Sequence, residues 1–371
     1  MSIFLTYQEE FLKEKKGYWT AKEICQQPRI WREAAAQVEA QRTEIDSWLQ
    51  PILALQNLRI ILTGAGTSAY VGEAIVPSLI QSTGRIFKAL STTDIVGNAP
   101  QYLLKNIPTL LVSYGRSGNS PESVAAVKLA DQIVDDCYHL VITCNPEGEL
   151  VLNSKGNVNA FSLLMPEGTL DQSFAMTSSF STMLLTALAL LDAPSDVPAR
   201  FVALADQLEA LLPQFGSPKP DRAVYVGSGP LTFAAREAAL KVMELSAGQI
   251  PALWDSALGF RHGPKSFVIG TTNITVFTSP DTPTTHYEAD LVAELKAQFP
   301  DARVTTMGAQ GDINIAMPFG PAWAAPLCIA ASQIDGVRWA AELGLNVDNP
   351  FDGQGTLSRV VSGVKLYPVA S

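Results

Sequence analysis

At 371 residues the chain is longer than one compact core usually holds, so two or three domains are expected. Only 17% of its residues are charged and 47% are hydrophobic, which excludes a disordered, coiled-coil or collagen-like chain. Lys plus Arg number 26 against 36 for Asp plus Glu, a net charge of −10 with no basic block, so nucleic acid and anionic membranes are disfavoured as main partners and an anionic ligand has to be met locally.

Residues 1–17 alternate apolar side chains with Glu and Lys and hold no apolar run followed by a small-residue cleavage site, so no signal peptide is expected. Apolar positions then recur at helical spacing through Trp31, Val38, Ile45, Trp48 and Leu49, and 1–55 is read as an N-terminal helical segment. Beyond it, short β-rich runs at 59–63, 109–113, 139–144, 223–226, 274–278 and 303–307 alternate with helical segments. That alternation predicts an α/β fold of doubly wound, mainly parallel sheets with helices on both faces, a flavodoxin-like three-layer sandwich. The most apolar stretch, 183–191, is about half of the roughly 20 residues a membrane-spanning helix needs. Cysteines 25, 137, 144 and 328 form no CxxC pair and histidines 139, 262 and 286 stand far apart, so neither a disulfide framework nor an imidazole-based metal site is expected. Free thiols fit a reducing compartment, and the cytoplasm is the expected location.

The strand-like runs repeat. Gly64-Ala65-Gly66 ends the first, and Gly227-Ser228-Gly229 ends a similar run 163 residues later. Residues 111–114 match 275–278 at an offset of 164, and 141–143 match 304–306 at 163. Three matches at one offset indicate a duplicated module, with chance likeness among short Val/Ile runs as the alternative. Module one is read as 56–195 and module two as 215–371.

Ligands of open parallel sheets sit at the carboxyl ends of the strands, where strand order reverses. After the second matched run comes Ser113-Tyr114-Gly115-Arg116-Ser117-Gly118-Asn119-Ser120-Pro121-Glu122. Gly118 lets the backbone approach an anion, Ser117 and Ser120 offer hydroxyls, Asn119 an amide and Arg116 a guanidinium fork, ahead of a helix N-terminus. This set fits a sugar phosphate, with a plain serine-rich helix cap as the alternative. The equivalent loop of module two, 279–285, holds two prolines and Asp281 and makes a poor anion cradle. Gly64-Ala65-Gly66-Thr67-Ser68-Ala69 also fits a dinucleotide fingerprint, but no acidic residue ends the next strand-like stretch and Asp94 comes late. A tight turn presenting Thr67 and Ser68 is the simpler reading. In module two, Glu237, Lys241 and Glu244 share one helix face, either as solvated salt bridges or as proton-transfer groups. His262 lies in Gly259-Phe260-Arg261-His262-Gly263-Pro264, a braced loop suited to catalysis or to structural hydrogen bonding.

The Gly66-Thr67-Ser68 turn, Ser117-Gly118-Asn119-Ser120, Glu237-x-x-Leu-Lys-x-x-Glu244, His262-Gly263-Pro264 and Leu357-Ser358-Arg359 together resemble the two-module sugar isomerase (SIS) family over nearly the whole chain. The set is similar to the isomerase half of glucosamine-6-phosphate synthase. The segments 18–31 and 357–364 look closer to the AgaS-like galactosamine-6-phosphate deaminase/isomerase family, often labelled tagatose-6-phosphate ketose/aldose isomerase. The resemblance implies a phosphate clamp of Ser117 and Ser120 with Arg116, sugar contacts from Gly66, Thr67 and Ser68, and a sugar-lining loop containing Thr177 and Ser178. It further implies that Glu244 moves a proton between C1 and C2, that Lys241 assists, and that His262, supplied by a neighbouring subunit of a homodimer or larger oligomer, opens the ring. It requires no cofactor. Ser2 stands where the synthase has a nucleophilic Cys, so glutamine-fed amination is not expected. Arg359 stands where the family has a Schiff-base Lys and is assigned to substrate contact or tail closure. The expected reaction converts galactosamine 6-phosphate to tagatose 6-phosphate and ammonia. Plain ketose/aldose isomerisation, glucosamine-6-phosphate deamination and non-catalytic sugar-phosphate sensing are the alternatives.

Overall fold

The computed structural model describes residues 3–5 and 7–367; Ser2 lies outside them. A short antiparallel pair, β1 (Ile3–Phe4) and β2 (Tyr7–Gln8), precedes α1 (Glu9–Glu14). In α2 (Tyr18–Ala40) the buried positions Ile24, Trp31, Ala35 and Val38 follow the helical repeat, and Ile45, Leu49 and Ile52 continue it in α3 (Arg42–Leu53).

The first sheet is built from β3 (Arg59–Gly64), β4 (Ile86–Ser91), β5 (Thr109–Gly115), β6 (Cys137–Thr143) and β7 (Ala160–Leu164). Between them run α4 (Thr67–Thr83), α5 (Thr92–Tyr102), α6 (Pro121–Ile133) and α7 (Glu149–Ser154), and α8 (Ser178–Leu191) follows. The strands pair in the order β4-β3-β5-β6-β7, all parallel. After α9 (Val197–Leu211), the second sheet comprises β8 (Arg222–Gly227), β9 (Ala252–Ser256), β10 (Thr272–Thr278), β11 (Arg303–Gly308) and β12 (Ile313–Asn314). Its helices are α10 (Pro230–Leu245), α11 (Thr284–Gln298) and α12 (Pro321–Glu342). Its order, β9-β8-β10-β11-β12, is again all parallel and repeats that of the first sheet strand for strand.

Packing follows the same plan twice. Every residue of α8 is buried and the helix packs on α4, while α12 is buried over almost its whole length and packs on α10. A helix apolar on all sides has to lie inside, which is why 183–191 is core and not a membrane segment. No described helix is long and apolar enough to cross a membrane.

Two compact units contain these sheets, and neither is contiguous in sequence. One gathers residues 29–171, 178–201 and 357–371 around the first sheet; the other gathers 1–28, 172–177 and 202–356 around the second. The tail from Leu357, read from sequence as the end of module two, therefore groups with the first sheet, and the N-terminal helical segment is shared out.

The repeat extends to backbone angles. Gly66 (φ 56°, ψ −130°) and Gly229 (φ 56°, ψ −127°) open α4 and α10 in the same left-handed conformation, which side chains disfavour. Two residues earlier, a Cβ on Gly64 would lie 2.6 Å from Ser68 backbone carbon, and one on Gly227 would lie 2.4 Å from Leu231 O. Strand and helix thus approach too closely at both turns for any side chain. Gly64→Ala and Gly227→Ala are each expected to destabilise their own unit by about 1–3 kcal/mol, measured by denaturant unfolding.

Candidate active site

In both sheets the order reverses between the first and third strands, so each has its crevice at the carboxyl ends of that pair. In the first sheet the bordering loops are 64–67 and 115–121, which brings Gly66, Thr67 and Ser68 to the same edge as Ser117, Gly118, Asn119 and Ser120. Ser120 is the N-cap of α6, with Pro121 next, yet its side chain makes no capping bond. Its hydroxyl is not spent on the helix, contrary to the plain-cap alternative. Ser117 Oγ accepts the Asn119 N–H at 3.2 Å, and Asn145 Nδ2 donates to Ser117 O at 2.9 Å, fixing the turn. Asn119 Oδ1 accepts Glu149 N–H at 2.8 Å and so holds the start of α7. Asp94, the late acid of the dinucleotide reading, is tied up with Ser91 in a reciprocal cap of α5.

Arg116 is buried, and its Nη2 donates to Arg359 O at 2.7 Å. Arg359 Nη1 in turn donates to Asp171 O at 2.6 Å. These two guanidinium groups tie the C-terminal tail down beside the phosphate-type loop. Asp171, fully buried, accepts from Ser178 Oγ at 2.6 Å and from Ser179 N and Oγ at 3.0 and 2.5 Å. The hydroxyl of Ser178 is thereby committed to the start of α8, and Thr177 is itself fully buried. In the other unit, Glu23 accepts from Gln172 N at 2.5 Å and from Ser173 Oγ at 2.5 Å. Asp171 and Glu23 carry no local motif, so their roles could not be read from sequence.

The second sheet fills the corresponding crevice with its own carboxylate. Glu288 of α11 is buried; it accepts the Ser279 N–H at 2.8 Å and also interacts with the Ser228 hydroxyl, so it touches both loops at the switch point. Burial pushes its pKa up to about 7, against the hydrogen bonds from Ser279 and Ser228. The two copies therefore present opposite chemistry at one topological position: hydroxyls and backbone in the first, a carboxylate in the second.

On α10, Lys241 is fully buried, with Nζ 3.3 Å from Glu237 Oε1 and 2.5 Å from Glu244 Oε2. Glu237 is fully buried as well, whereas the Glu244 side chain keeps 23% of its surface. Burial opposes the Lys241 charge, but the Glu237 and Glu244 carboxylates outweigh it and the pKa rises. The solvated salt-bridge alternative does not hold here: Lys241 is a locked cation with Glu237 behind it and Glu244 at the accessible end. Sequence spacing showed all three on one face, but only burial separates their roles.

His262 is exposed and stands between the 3-10 turns Gly259–Arg261 and Gly263–Phe267, which follow β9. Its neighbours are clamped by one carboxylate of α11: Arg261 Nε meets Glu294 at 2.8 Å, and Lys265 bonds the other Glu294 oxygen. Gly259 N donates to Ser256 Oγ at 3.0 Å, closing the loop against the end of β9. Burial pushes the thiol of Cys25 up to about 11 and those of Cys137, Cys144 and Cys328 up to about 12, so none is a thiolate nucleophile at neutral pH.

The SIS domain model matches residues 52–193. D-galactosamine-6-phosphate deaminase AgaS from Escherichia coli is 44% identical over 371 aligned residues, covering 95% of this chain and 96% of that protein. The protein of the same name from Shewanella sp. (strain ANA-3) is 44% identical, covering 98% of this chain and 95% of its own. Among solved structures, the tagatose-6-phosphate ketose/aldose isomerase from Escherichia coli superposes with a TM-score of 0.88 at 43% identity, covering 96% and 98% of the two chains.

Because the pKa of Glu288 stands above the ordinary value of 4.5, the folded chain holds a proton that the unfolded chain has lost, and stability falls as pH rises from 4.5 through about 7. Glu288→Gln is expected to be more stable than the parent at about pH 8, by on the order of 2 kcal/mol, with the gain vanishing toward about pH 4; denaturant unfolding at both values checks it.

Proposed function

The chain belongs to the AgaS family of SIS-domain proteins, and on that premise we propose that it converts galactosamine 6-phosphate and water to tagatose 6-phosphate and ammonia. The observation that carries this reading is the buried Glu237–Lys241–Glu244 row, which leaves one accessible carboxylate next to a fixed positive charge. A carboxylate so placed is suited to taking the C2 proton of the open-chain amino aldose and returning it at C1. The enolamine formed in between becomes a C2 ketimine, and water adds to it to release ammonia and leave the ketone. The shift is internal to the sugar, and water is the only co-reactant. Lys241, held protonated, serves as a hydrogen-bond donor that orients Glu244, not as a base.

Ser117 and Ser120, with the backbone of Gly118 and the start of α6, are assigned to the phosphate, and Gly66, Thr67 and Ser68 to sugar hydroxyls. Arg116 and Arg359 are assigned to holding the tail, because their guanidinium groups donate to the backbone carbonyls of Arg359 and Asp171. Asn119, Thr177 and Ser178 shape loops. His262 is assigned to ring opening, and its exposure supports donation to a neighbouring copy in a homodimer or larger oligomer. A cytoplasmic location follows from a phosphorylated sugar substrate. A non-catalytic sensor is disfavoured, since the Glu237–Glu244 face is not turned to bulk solvent.

The name of the E. coli solved relative supports a second reading, ketose/aldose isomerisation without loss of nitrogen. Ammonia release from galactosamine 6-phosphate and glucosamine 6-phosphate, run beside interconversion of tagatose 6-phosphate with its aldose, separates the readings. Rapid ammonia release from the galacto substrate is expected; interconversion without ammonia would replace the proposal with the isomerase. Ser117→Ala combined with Ser120→Ala is expected to raise KM by about tenfold or more with kcat changed less, as lost hydrogen bonds to a charged group predict.

A further inference from the structure

The first sheet carries a second cluster of reactive side chains, formed by β6 and α6. Residues 137 and 139 of β6 point to the same face of the sheet, and α6 brings Asp131 from its last turn. One nitrogen of His139, one oxygen of Asp131 and Sγ of Cys137 lie within 4.8 Å of one another. His139 is buried and bonded through Nε2 to Asp131 Oδ1 at 2.7 Å; its Nδ1 is buried with no hydrogen-bond partner. An imidazole satisfied at one nitrogen only is an uncommon state for a buried group. A cavity of about 80 Å³, lined by Asp131, His139, Lys128, Asn153, Ser154 and Asn157, opens beside it. That volume exceeds the roughly 10–15 Å³ that one water needs, so there is room for water ligands beside Asp131 and His139.

We propose that Asp131, Cys137 and His139 form a binding site for a borderline-soft divalent cation of the zinc type, completed by water from the adjoining cavity. The donor set selects the ion: one sulfur, one nitrogen and one carboxylate oxygen match Zn²⁺ or Co²⁺ and disfavour Mg²⁺ and Ca²⁺. Metal–ligand bonds of about 2.0–2.3 Å put tetrahedral ligands about 3.5 Å apart, so the cluster has to contract. Asp131 supplies that movement, since 52% of its side chain is exposed. On binding, the hydrogen bond between Asp131 and His139 is exchanged for a bond from each to the ion. The Cys137 thiol gives its proton to solvent, so one proton leaves for each ion bound and the thiolate and carboxylate together balance the double positive charge. Linear spacing gave no sign of the site, because its ligands come from two elements and the histidine is alone in its stretch of sequence. Cys137 and His139 lie in the first half of β6, at the opposite end of the strand from the carboxyl-end loops.

Cobalt(II) is the probe: the full chain, stripped with chelator and kept reduced, is titrated while absorption is followed. A saturable near-ultraviolet thiolate-to-cobalt band with tetrahedral visible bands is expected, displaced by Zn²⁺. Cys137→Ser should abolish the near-ultraviolet band, and Asp131→Asn, at an exposed position that leaves the fold intact, should weaken binding by at least about tenfold. Absence of the band in the parent chain, or a band that survives in Cys137→Ser, or affinity unchanged in Asp131→Asn, would overturn the site.

Discussion

A lysine ammonium taken fully out of water is costly, and in α10 two carboxylates of the same helix compensate it. Helical spacing supplies Glu237 one turn before Lys241 and Glu244 one turn after, so this compensation is built into a single element. The cost is asymmetric. Glu237 is as deeply buried as the lysine and serves as its counter-charge, while Glu244 retains solvent access. From this inequality comes the division of labour on which the proposed chemistry depends.

The duplication shows how one scaffold holds different contents. Both sheets have the same strand order, the same glycine turn and the same buried helix over the helix that follows the first strand. At the first switch point a serine-rich loop is held in shape by Asn145 and Asn119. At the second, Glu288 interacts with both bordering loops. Glu288 there engages the Ser279 N–H, a donor an anion would need, so the proposed anion capture is assigned to the first copy. The negative overall charge is thus compatible with an anionic substrate.

What the sequence made legible follows burial. The central strands β3 and β5 are buried along almost their whole length and read as unbroken apolar runs; likewise β6, β8 and β10 were found at their observed positions within two residues. The strands β4, β7 and β9 are only partly buried, lie at sheet edges, and include Lys88, Ser162 and Asp255; they carried no such run and were not recognised. Local motifs marked the loop residues Thr67, Ser68, Ser117 and Ser120, because the glycines and serines are contiguous. Spacing could not separate Glu237 from Glu244. Glu23 and Glu294 depend on partners 150 and 33 residues away in sequence, where no single-sequence pattern reaches, and the bonds of Asp171 and Glu288 are marked by no local motif. Arg116 is the instructive case: its charge beside a serine loop points to phosphate, while its bond to the carbonyl of Arg359, 243 residues away, carries no local sequence signal.

The central claim, that Glu237 holds the charge and Glu244 moves the proton, is tested most directly by comparing Glu237→Gln with Glu244→Gln in one experiment that records both thermal unfolding and ammonia release from galactosamine 6-phosphate. The account predicts that Glu244→Gln unfolds near the parent temperature and releases no ammonia, whereas Glu237→Gln loses about 3 kcal/mol of stability by weakening a buried pair. Turnover retained in Glu244→Gln, or Glu237→Gln as stable as the parent, would contradict it.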